Sequence, residues 1–436
     1  MEYPVSQAQK RMYLLDFVAK TSGYDLFRCI RLFGRNLDYE KMQRTLKDII
    51  WHREILRTTF HIRDGRIKQS ICDEYITPLE LVDLRELCVS MSQEQIKNKV
   101  YECIKGNHLT FDVNSIPLFK MTLYRIRDDD YVLYSGFHHI IADAISVDIF
   151  FIELLALYNG TPLQSMTWQY KDYASWEEKF IGEISAAQKD FWLDMYNGFS
   201  KPSFFPACKQ SSCVQPSDTK QLTVGFGNDL SIKIHMFARS LGVTSFTLIL
   251  SVFSLLLSKK MQTNDLVLGM ISSGRYHPHT EGMIGVFIQT LAIRYQIECD
   301  MQCKQYIKNV GSKVFNAIDN QYFTFEMLLD SLKLHRTLNK NPLFNVVINH
   351  QPFNEGVYLQ GDELQFAPFI DLDEQAVVDM EVFVYSGEDN MDITLRYKYR
   401  SDMYEDATIE KLYEDYVIML ENVINNAEAH VGLIIQ

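Results

Sequence analysis

The stretch Tyr131–Gly160 constrains the fold of this chain more than any other. Its first part, Tyr131–Phe137, predicts a buried strand, and the strand ends on two adjacent histidines, His138 and His139. Asp143 follows four residues later. Apolar side chains at helical spacing come next, namely Ile145, Ile149, Ile152 and Leu155, with Gly160 as a stop signal. Because regular structure holds such a turn on both sides, it is a suitable place for a functional site.

The chemistry of this turn depends on its two imidazoles. Side chains alternate along a strand, so His138 and His139 are expected to point to opposite sides. An imidazole has a pKa of about 6.5, so the neutral form can accept a proton at cellular pH. A core histidine remains the alternative for either residue. Adjacent histidines on opposite faces chelate one ion poorly, so no metal site is predicted. If it is buried, the Asp143 carboxylate is expected to accept backbone N–H bonds or to pair with an arginine, and thereby to fix the turn.

Composition limits the class of protein. With 436 residues, the chain favours two domains or one large pseudo-symmetric unit. A net charge of −13 argues against nucleic acid as a partner, because phosphate binding needs a basic surface. The longest apolar run, Phe246–Leu257, is too short for a membrane span, is interrupted by serines and predicts a buried helix. Eight cysteines without a CxxC pair favour reduced thiols, and no secretory signal is visible, so we expect a cytoplasmic protein without membrane partners.

Local signals place further elements along the chain. Capping boxes at Ser6–Gln9 and Ser92–Gln95 predict helices that end near Lys20 and Gly106. Asp64-Gly65 predicts the turn of a hairpin between Leu56–Ile62 and Arg66–Ile71. Further helices are predicted at 37–53, 229–241, 244–260, 306–321 and 407–425, and further strands at 119–126, 266–271, 344–349, 378–385 and 393–399. Hairpin-linked strands that alternate with helices predict an α/β fold, specifically α+β mixed sheets covered by helices.

Several segments, taken in order, resemble the motifs of nonribosomal peptide synthetase condensation domains. His138–Ala144 is similar to the HHxxxDG motif, with Ala144 at the glycine position. Three further matches lie in the first half of the chain, namely Ser6–Tyr13 to SxAQxR(L/M)(W/Y), His52–Phe60 to RHExLRTxF and Tyr170–Trp176 to YxDYAxW. Two lie in the second half, namely Ile284–Thr290 to IGxFVNT, and Arg336 with Asn341–Phe344 to RxxxxNPLF. Asn320–Glu326 matches an HQDxPFE-like motif in part. The resemblance therefore covers essentially the whole chain.

The resemblance implies a V-shaped pseudodimer of two lobes similar to chloramphenicol acetyltransferase. Residues 1–178 would form the N-terminal lobe with the HHxxxD motif, and residues 179–436 the C-terminal lobe with segments that cross a channel. The implied enzyme is an acyltransferase of antibiotic or other secondary-metabolite biosynthesis. It joins a donor acyl or peptidyl thioester to an acceptor aminoacyl thioester.

The implied partners are donor and acceptor peptidyl carrier proteins, with adjacent adenylation or polyketide synthase domains. Both substrates are carried on 4'-phosphopantetheine of the carriers, and the domain itself binds no cofactor. The chain is then either one domain of a larger synthetase or a standalone enzyme.

The same resemblance assigns roles to residues. His139 is the catalytic residue, either as general base or, as we favour, as a group that positions the amine and hydrogen-bonds the tetrahedral centre. His138, Asp143, Arg57 and Ala144 are expected to support the site, with Arg57 as the partner of Asp143. Apart from the resemblance, a phosphate contact is an alternative role for Arg275. Candidates for a substrate tunnel are Ser146, Gly285, Gln289 and Asn349. Ala144 implies either a negative φ at this position or a narrower tunnel.

Four alternative functions remain. The first is an acyltransferase whose acceptor is a free amine or hydroxyl, and the second is an epimerization-type domain. Asp143-Ala144-Ile145-Ser146 resembles the end of the heterocyclization signature DxxxxDAxS, but that signature has Asp where His138 stands. The last alternative is a non-catalytic docking module, and the intact His139 counts against it.

Overall fold

The computed structural model describes residues 1–19, 25–34, 37–106, 111–209, 219–334, 341–352, 364–370, 372, 376, 378–386 and 392–436. The chain forms two compact units. Unit 1 consists of Met1–Gly182, Arg275–Ile288 and Glu355–Glu374, and unit 2 of Glu183–Gly274, Gln289–Asn354 and Gln375–Gln436. The division into lobes at residues 178 and 179 stays a prediction.

The strands, in chain order, are β1 (Glu2–Pro4), β2 (Asp25–Gly34), β3 (Thr58–Arg63), β4 (Arg66–Ile71), β5 (Leu79–Asp83), β6 (Phe119–Arg127), β7 (Asp130–His138), β8 (Thr219–Gly225), β9 (Asp265–Ser272), β10 (Gln289–Gln296), β11 (Val346–Pro352), β12 (Leu364–Ile370), β13 (Met380–Ser386) and β14 (Thr394–Arg400). The helices are α1 (Gln7–Ala19), α2 (Tyr39–His52), α3 (Arg85–Cys88), α4 (Gln93–Gly106), α5 (Ala144–Tyr158), α6 (Tyr170–Met195), α7 (Asn228–Leu241), α8 (Ser245–Met261), α9 (Cys303–Asp319), α10 (Phe325–Ser331), α11 (Asp406–Asn425) and α12 (Val431–Ile435). Two short 3₁₀ helices lie at Glu54–Arg57 and Pro278–Thr280.

Unit 1 is built on a five-stranded sheet in the order β12-β2-β7-β6-β5. All neighbours are antiparallel except β5 and β6. The central strand β7 is buried along its whole length, as its apolar sequence predicts. A smaller antiparallel sheet, β1-β4-β3, contains the hairpin that Asp64 and Gly65 turn, both at positive φ. The buried strand β7 therefore delivers its C-terminal histidines from the centre of the unit.

Helix α5 follows β7 and packs on the same core. The rings of Phe119, Phe137 and Phe150 contact one another, which joins α5 to strands β6 and β7. The helix buries Val147, Phe150, Phe151, Leu154 and Leu155. The expected inner face is therefore wrong in part, since Ile145 is 41% and Ile152 48% exposed. Ser146 faces the interior instead. With Ser146 inside, the residues at helical spacing from it form the inner face of α5.

Unit 2 has a six-stranded mixed sheet in the order β10-β9-β11-β13-β14-β8. Strands β9, β11 and β13 are parallel, and the other neighbours are antiparallel. Helix α8 is buried from Thr247 to Ser258, as its apolar run predicts, and α7, α9 and α11 pack against it. No single helix in the described part of the chain is long and apolar enough to cross a membrane. Within that part, α7 and α8 reach the necessary length and apolar content only when taken together, and they are bent by 99°.

The capping boxes and the mixed-sheet class predicted from the sequence are confirmed. Ser6 and Gln9 exchange hydrogen bonds at 3.1 Å each, and Ser92 and Gln95 do so at 3.3 and 2.8 Å. The strands β1, β2, β5, β8 and β12 were not predicted. Helix α6 begins at Tyr170, so the motif at Tyr170–Trp176 forms its first two turns. Arg336, from the RxxxxNPLF match, lies outside the described residues.

The ion pair between Arg53 and Glu153 joins the end of α2 to the middle of α5, and the two side chains are 6% and 14% exposed. We expect Glu153→Ala to lower the free energy of unfolding by about 3–5 kcal/mol, because it leaves a buried guanidinium without its carboxylate. Glu414→Ala removes one carboxylate from the exposed pair with Lys411 and serves as the control, with a loss below about 1 kcal/mol. Chemical denaturation of both variants measures the difference. Equal losses would show that the buried pair does not hold α5.

Candidate active site

The turn between β7 and α5 is held at both ends by backbone hydrogen bonds. The His138 N–H donates to Leu118 O at 2.9 Å, and the Ile141 N–H donates to His138 O at 3.0 Å. Asp143 is the N-cap of α5, with an extended backbone at φ −112° and ψ 178°. The five residues from His139 to Asp143 therefore have little conformational freedom.

His138 points into the interior of unit 1. Its side chain is buried, and its Nδ1 accepts a hydrogen bond from the Ile140 N–H at 3.1 Å. Its Nε2 lies 3.5 Å from a carboxylate oxygen of Asp16, and the ring meets Phe111 edge-on. His139, the next residue, is half-buried. The surroundings of the two imidazoles therefore differ, and His139 is the more accessible one.

Asp143 is 1% exposed and is bonded on both carboxylate oxygens. Its Oδ1 accepts from the Ser146 N–H at 2.8 Å and from Nη2 of Arg275 at 2.9 Å. Its Oδ2 accepts from the Phe287 N–H at 3.1 Å. The Ser146 hydroxyl lies 2.7 Å from Oδ1 and 2.6 Å from Gly285 O, and it accepts the Gly285 N–H at 3.0 Å. We call these five residues, Asp143, Ser146, Arg275, Gly285 and Phe287, the Asp143 lock.

The predicted pairing of Asp143 with Arg57 is wrong, because Arg275 fills that role. Nη1 of Arg275 also donates to the carbonyls of Thr280 and Met283, at 2.6 and 2.7 Å. With a side chain that is 6% exposed and engaged in this way, Arg275 is not placed to contact a phosphate. The Arg57 guanidinium instead donates to Cys72 O at 2.7 Å and lies over the Trp51 ring. Arg57 supports the fold of unit 1 but not this turn.

Tyr170 connects the lock to the N-terminal helix. Its hydroxyl lies 2.8 Å from Ser6 Oγ and donates to Val286 O. A Cβ atom at Gly285 would stand 1.9 Å from the Tyr170 ring, so only glycine allows this approach. On the same helix, Glu177 accepts the Gln7 N–H at 2.7 Å, and complete burial raises the pKa of its carboxyl to about 7. The sequence motifs at 6–13, 138–144, 170–176 and 284–290 thus meet in one network.

Two of the four tunnel candidates belong to the lock. Ser146 and Gly285 are buried and hydrogen-bonded there, which gives them a structural role, and their assignment to a tunnel wall stays a prediction. Gln289 and Asn349 belong to unit 2, are 4% and 7% exposed, and keep their tunnel assignment as a prediction. Oδ1 of Asn349 accepts the Ile271 N–H at 2.8 Å.

Ala144 is the first residue of α5 and adopts helical backbone angles. Its φ is therefore negative, which is the first of the two alternatives that the sequence analysis gave for Ala144. Alanine needs no strain at this position.

Removal of the Arg275 guanidinium tests the lock. We expect Arg275→Ala to lower the free energy of unfolding by about 3–5 kcal/mol, since a carboxylate that is 1% exposed loses its cation. Adding Asp143→Asn to Arg275→Ala should recover part of that loss, because the uncompensated charge disappears. A double-mutant cycle by chemical denaturation measures the coupling. Strictly additive losses would contradict a direct pair.

The close approach at Gly285 gives a second test. Gly285→Ala is expected to lower the free energy of unfolding by at least about 1–3 kcal/mol, because the new methyl group overlaps the Tyr170 ring. Gly282→Ala is the matched control, since a Cβ there meets no atom within 4 Å. We expect a change within about 0.5 kcal/mol for the control. Thermal unfolding of the two variants side by side decides the question.

The comparisons with known proteins agree with this geometry. The family model described as Condensation domain matches residues 1–434. The chain is 30% identical over 431 residues to Bacitracin synthase 1 of Bacillus licheniformis. The aligned region covers 98% of this chain and 8% of the relative. It is also 30% identical over 430 residues to Gramicidin S synthase 2 of Aneurinibacillus migulanus, covering 98% of the chain and 9% of the relative. The chain thus spans less than a tenth of the length of these relatives.

Solved structures show the same fold. The four-domain nonribosomal peptide synthetase holo-AB3403 matches with a TM-score of 0.87 and 18% identity, over 99% of this chain and 34% of that one. The condensation domain of the Monacolin K polyketide synthase MokA matches with a TM-score of 0.83 and 16% identity, over 99% of both chains. The X-domain from teicoplanin biosynthesis matches with a TM-score of 0.85 and 23% identity, over 98% of this chain and 96% of that one. Because the family model extends over almost every residue, the chain belongs to the condensation domain family.

Proposed function

We propose that this chain catalyses amide bond formation between a donor acyl or peptidyl thioester and an acceptor aminoacyl thioester, both carried on 4'-phosphopantetheine arms. The observation that carries the proposal is the division of roles within the turn. His138 and Asp143 are buried and hydrogen-bonded, whereas His139 is half-buried at the end of the central strand. A rigid turn that presents one accessible imidazole fits the family's acyl-transfer chemistry.

The reaction that we propose has two covalent events. The acceptor amine attacks the donor thioester carbonyl, which forms a C–N bond and a tetrahedral oxyanion. Collapse of that centre breaks the C–S bond, and the donor arm leaves as a thiol after it takes up the proton that the amine gives up. The product amide stays on the acceptor carrier.

His139 has two chemically sensible tasks in this sequence. As a general base it would take the amine proton, which contributes about 10²–10⁴-fold in typical enzymes. An α-amine with a pKa of about 8 is already partly neutral near pH 7, so the base is not strictly required. We therefore favour a role in which the imidazole orients the amine and hydrogen-bonds the tetrahedral centre.

Asp143 has a structural role in this proposal. Its carboxylate is 1% exposed, and its oxygens accept bonds from Ser146, Arg275 and Phe287. Both oxygens of this carboxylate are thus engaged by donors of the protein itself. A second negative charge beside the oxyanion would also oppose the reaction.

The partners follow from the proposed chemistry. They are a donor and an acceptor peptidyl carrier protein, with an adenylation or polyketide synthase domain as neighbour in a multidomain synthetase. The names of the relatives, which are synthases of bacitracin and gramicidin S, support a place in antibiotic or other secondary-metabolite biosynthesis. The cytoplasmic location stays a prediction.

Replacement of His139 tests the proposal directly. With donor and acceptor carriers loaded and mixed, we expect His139→Ala to reduce amide formation at least about 100-fold, because the reacting centre loses its imidazole. His430→Ala, which removes an exposed imidazole from unit 2, is the control and should retain full turnover. Mass spectrometry of the acceptor carrier measures the product. Near-full turnover by His139→Ala would refute the assignment.

The same assay separates the alternatives. A free amine or alcohol in place of the acceptor carrier identifies an enzyme with a free nucleophile if it reacts faster than the carrier-bound one. Inversion of an aminoacyl group on a single carrier identifies an epimerization-type enzyme. Loss of water from the product identifies heterocyclization. If none of these reactions occurs with loaded carriers, a docking module is the remaining interpretation.

A further inference from the structure

Two indole rings contact one imidazole beside the segment that contains Arg275. The His277 ring is stacked on the Trp168 ring, with centroids 4.7 Å apart and planes 12° from parallel. The Trp176 ring also lies 4.7 Å from the His277 ring, at an interplanar angle of 59°. Aromatic pairs attract each other at such distances. All three residues belong to unit 1, and we call them the indole clamp.

The indole clamp joins parts of unit 1 that are distant in sequence. Trp176 lies in the second turn of α6, and Trp168 precedes this helix by two residues. His277 is the N-cap of the 3₁₀ helix Pro278–Thr280, and its Nδ1 accepts the His279 N–H at 3.3 Å. Burial and the nearby His279 imidazole lower the pKa of His277, so the ring is neutral at pH 7 and able to accept this bond.

Hydrogen bonds lead from the indole clamp to the Asp143 lock. The His277 carbonyl accepts the Thr280 N–H at 2.8 Å and the Thr280 hydroxyl at 2.6 Å. Thr280 is completely buried, and its carbonyl accepts Nη1 of Arg275 at 2.6 Å. Nη2 of the same guanidinium donates to Asp143 at 2.9 Å. A displacement of His277 therefore reaches the guanidinium of the lock through a single residue.

Helix α6 also contacts the far end of the same segment. The Tyr170 hydroxyl donates to Val286 O, and the rings of Tyr170 and Tyr173 lie 5.1 and 4.8 Å from the Phe287 ring. The lock residues of Arg275–Ile288 lie toward its two ends. Contacts at both ends thus fix this segment, and the proposed reaction assigns no role to those made by the indole clamp.

We propose that His277 is a positioning residue: its ring, packed against Trp168 and Trp176, holds the 3₁₀ helix in place and thereby keeps Arg275 on Asp143, so that the turn presents His139 in one geometry. This inference rests on the proposed function, because it assigns the indole clamp to the same reaction. His277 acts through Thr280 and Arg275 and does not touch the substrate.

Two substitutions separate the ring of His277 from its hydrogen bond. His277→Asn removes the ring but keeps a side-chain acceptor for the His279 N–H, since asparagine is a favoured N-cap. His277→Phe keeps an aromatic ring against both indoles but removes the acceptor. If the stacked ring carries the positioning role, the asparagine variant is impaired and the phenylalanine variant is not. His61→Asn, a matched change on β3 outside the lock, is the control.

Hydrogen exchange of the full chain, followed by mass spectrometry, reads the lock without reference to activity. The Ser146 and Phe287 N–H groups donate to Asp143, so their exchange reports how often this carboxylate lets go. We expect His277→Asn to accelerate exchange about 5-fold or more in peptides that cover 139–147 and 283–288. Peptides from α9 should be unchanged, and His277→Phe and His61→Asn should match the unmodified chain.

Kinetics with loaded carriers gives the second readout. His277→Asn should lower kcat about 10-fold or more, because a small misplacement of a group that orients reactants is costly. KM for both carriers should stay unchanged, since no contact with either substrate is removed. His277→Phe should retain most of the turnover, which makes it the conservative rescue.

A double-mutant cycle tests the route through Arg275. Arg275→Lys keeps a cation but lacks the planar group that reaches Asp143, Thr280 and Met283 together. If His277 acts through Arg275, adding His277→Asn to Arg275→Lys should lower kcat less than about 2-fold further. A further loss as large as that of His277→Asn alone overturns the route.

Three other results would overturn the positioning role. The first is unchanged exchange in 139–147 for His277→Asn, and the second is faster exchange with an unchanged kcat. The third is an equal loss in His277→Asn and His277→Phe, which would assign the effect to the hydrogen bond instead of the ring.

Folding failure and inactivity have their own controls. If His277→Asn does not fold, Trp168→Ala with Trp168→Phe as its conservative partner carries the same expectations and the same contradictions. If the unmodified chain forms no amide, the proposed function fails. The exchange experiment then still decides whether the indole clamp holds the Asp143 lock.

Discussion

The buried ion pair between Asp143 and Arg275 is the interaction on which the geometry of the turn depends. It joins two segments that are 132 residues apart in the chain. Burying two charges is expensive unless hydrogen bonds satisfy both groups, and here each does have several bonds. Asp143 accepts backbone N–H groups of Ser146 and Phe287, and Arg275 donates to two carbonyls. An ion pair with these partners specifies one arrangement, because any shift leaves a buried charge uncompensated.

The order of the chain gives this pair a further consequence. The turn and α5 come early in the sequence, but Arg275–Ile288 follows a long section of unit 2 and precedes another. The lock can therefore form only after the chain has passed through helices α7 and α8 and strand β9. In physical terms the pair closes a loop of 132 residues, which costs conformational entropy that its hydrogen bonds and charges must offset. The turn that bears His139 therefore depends on segments of unit 1 that lie before and after Glu183–Gly274 in the chain.

The elements that the sequence predicts well have local signals. The capping boxes, the Asp64-Gly65 turn and the apolar run of α8 each depend on residues within a few positions of one another. Strands β2 and β12 have no such signal, because their partners are distant: β12 pairs with β2 across more than three hundred residues of sequence. The motif at 52–60 made Arg57 an attractive partner for Asp143, yet tertiary packing brings Arg275 there instead. The Ile145 and Ile152 side chains are exposed because Ser146 is needed inside the lock.

Ala144 shows how a departure from a motif can strengthen the same structure. At the first position of α5 its backbone is helical, and alanine favours helical backbone angles more than glycine does. Alanine also has fewer conformations to lose when the chain folds. Asp143 caps the helix, His138 accepts the Ile140 N–H, and the Ile141 N–H donates to His138 O, so hydrogen bonds hold the turn at several points. A turn fixed in this way keeps the imidazole of His139 at one place, which suits a residue that orients its reactants more than one that must move to carry a proton.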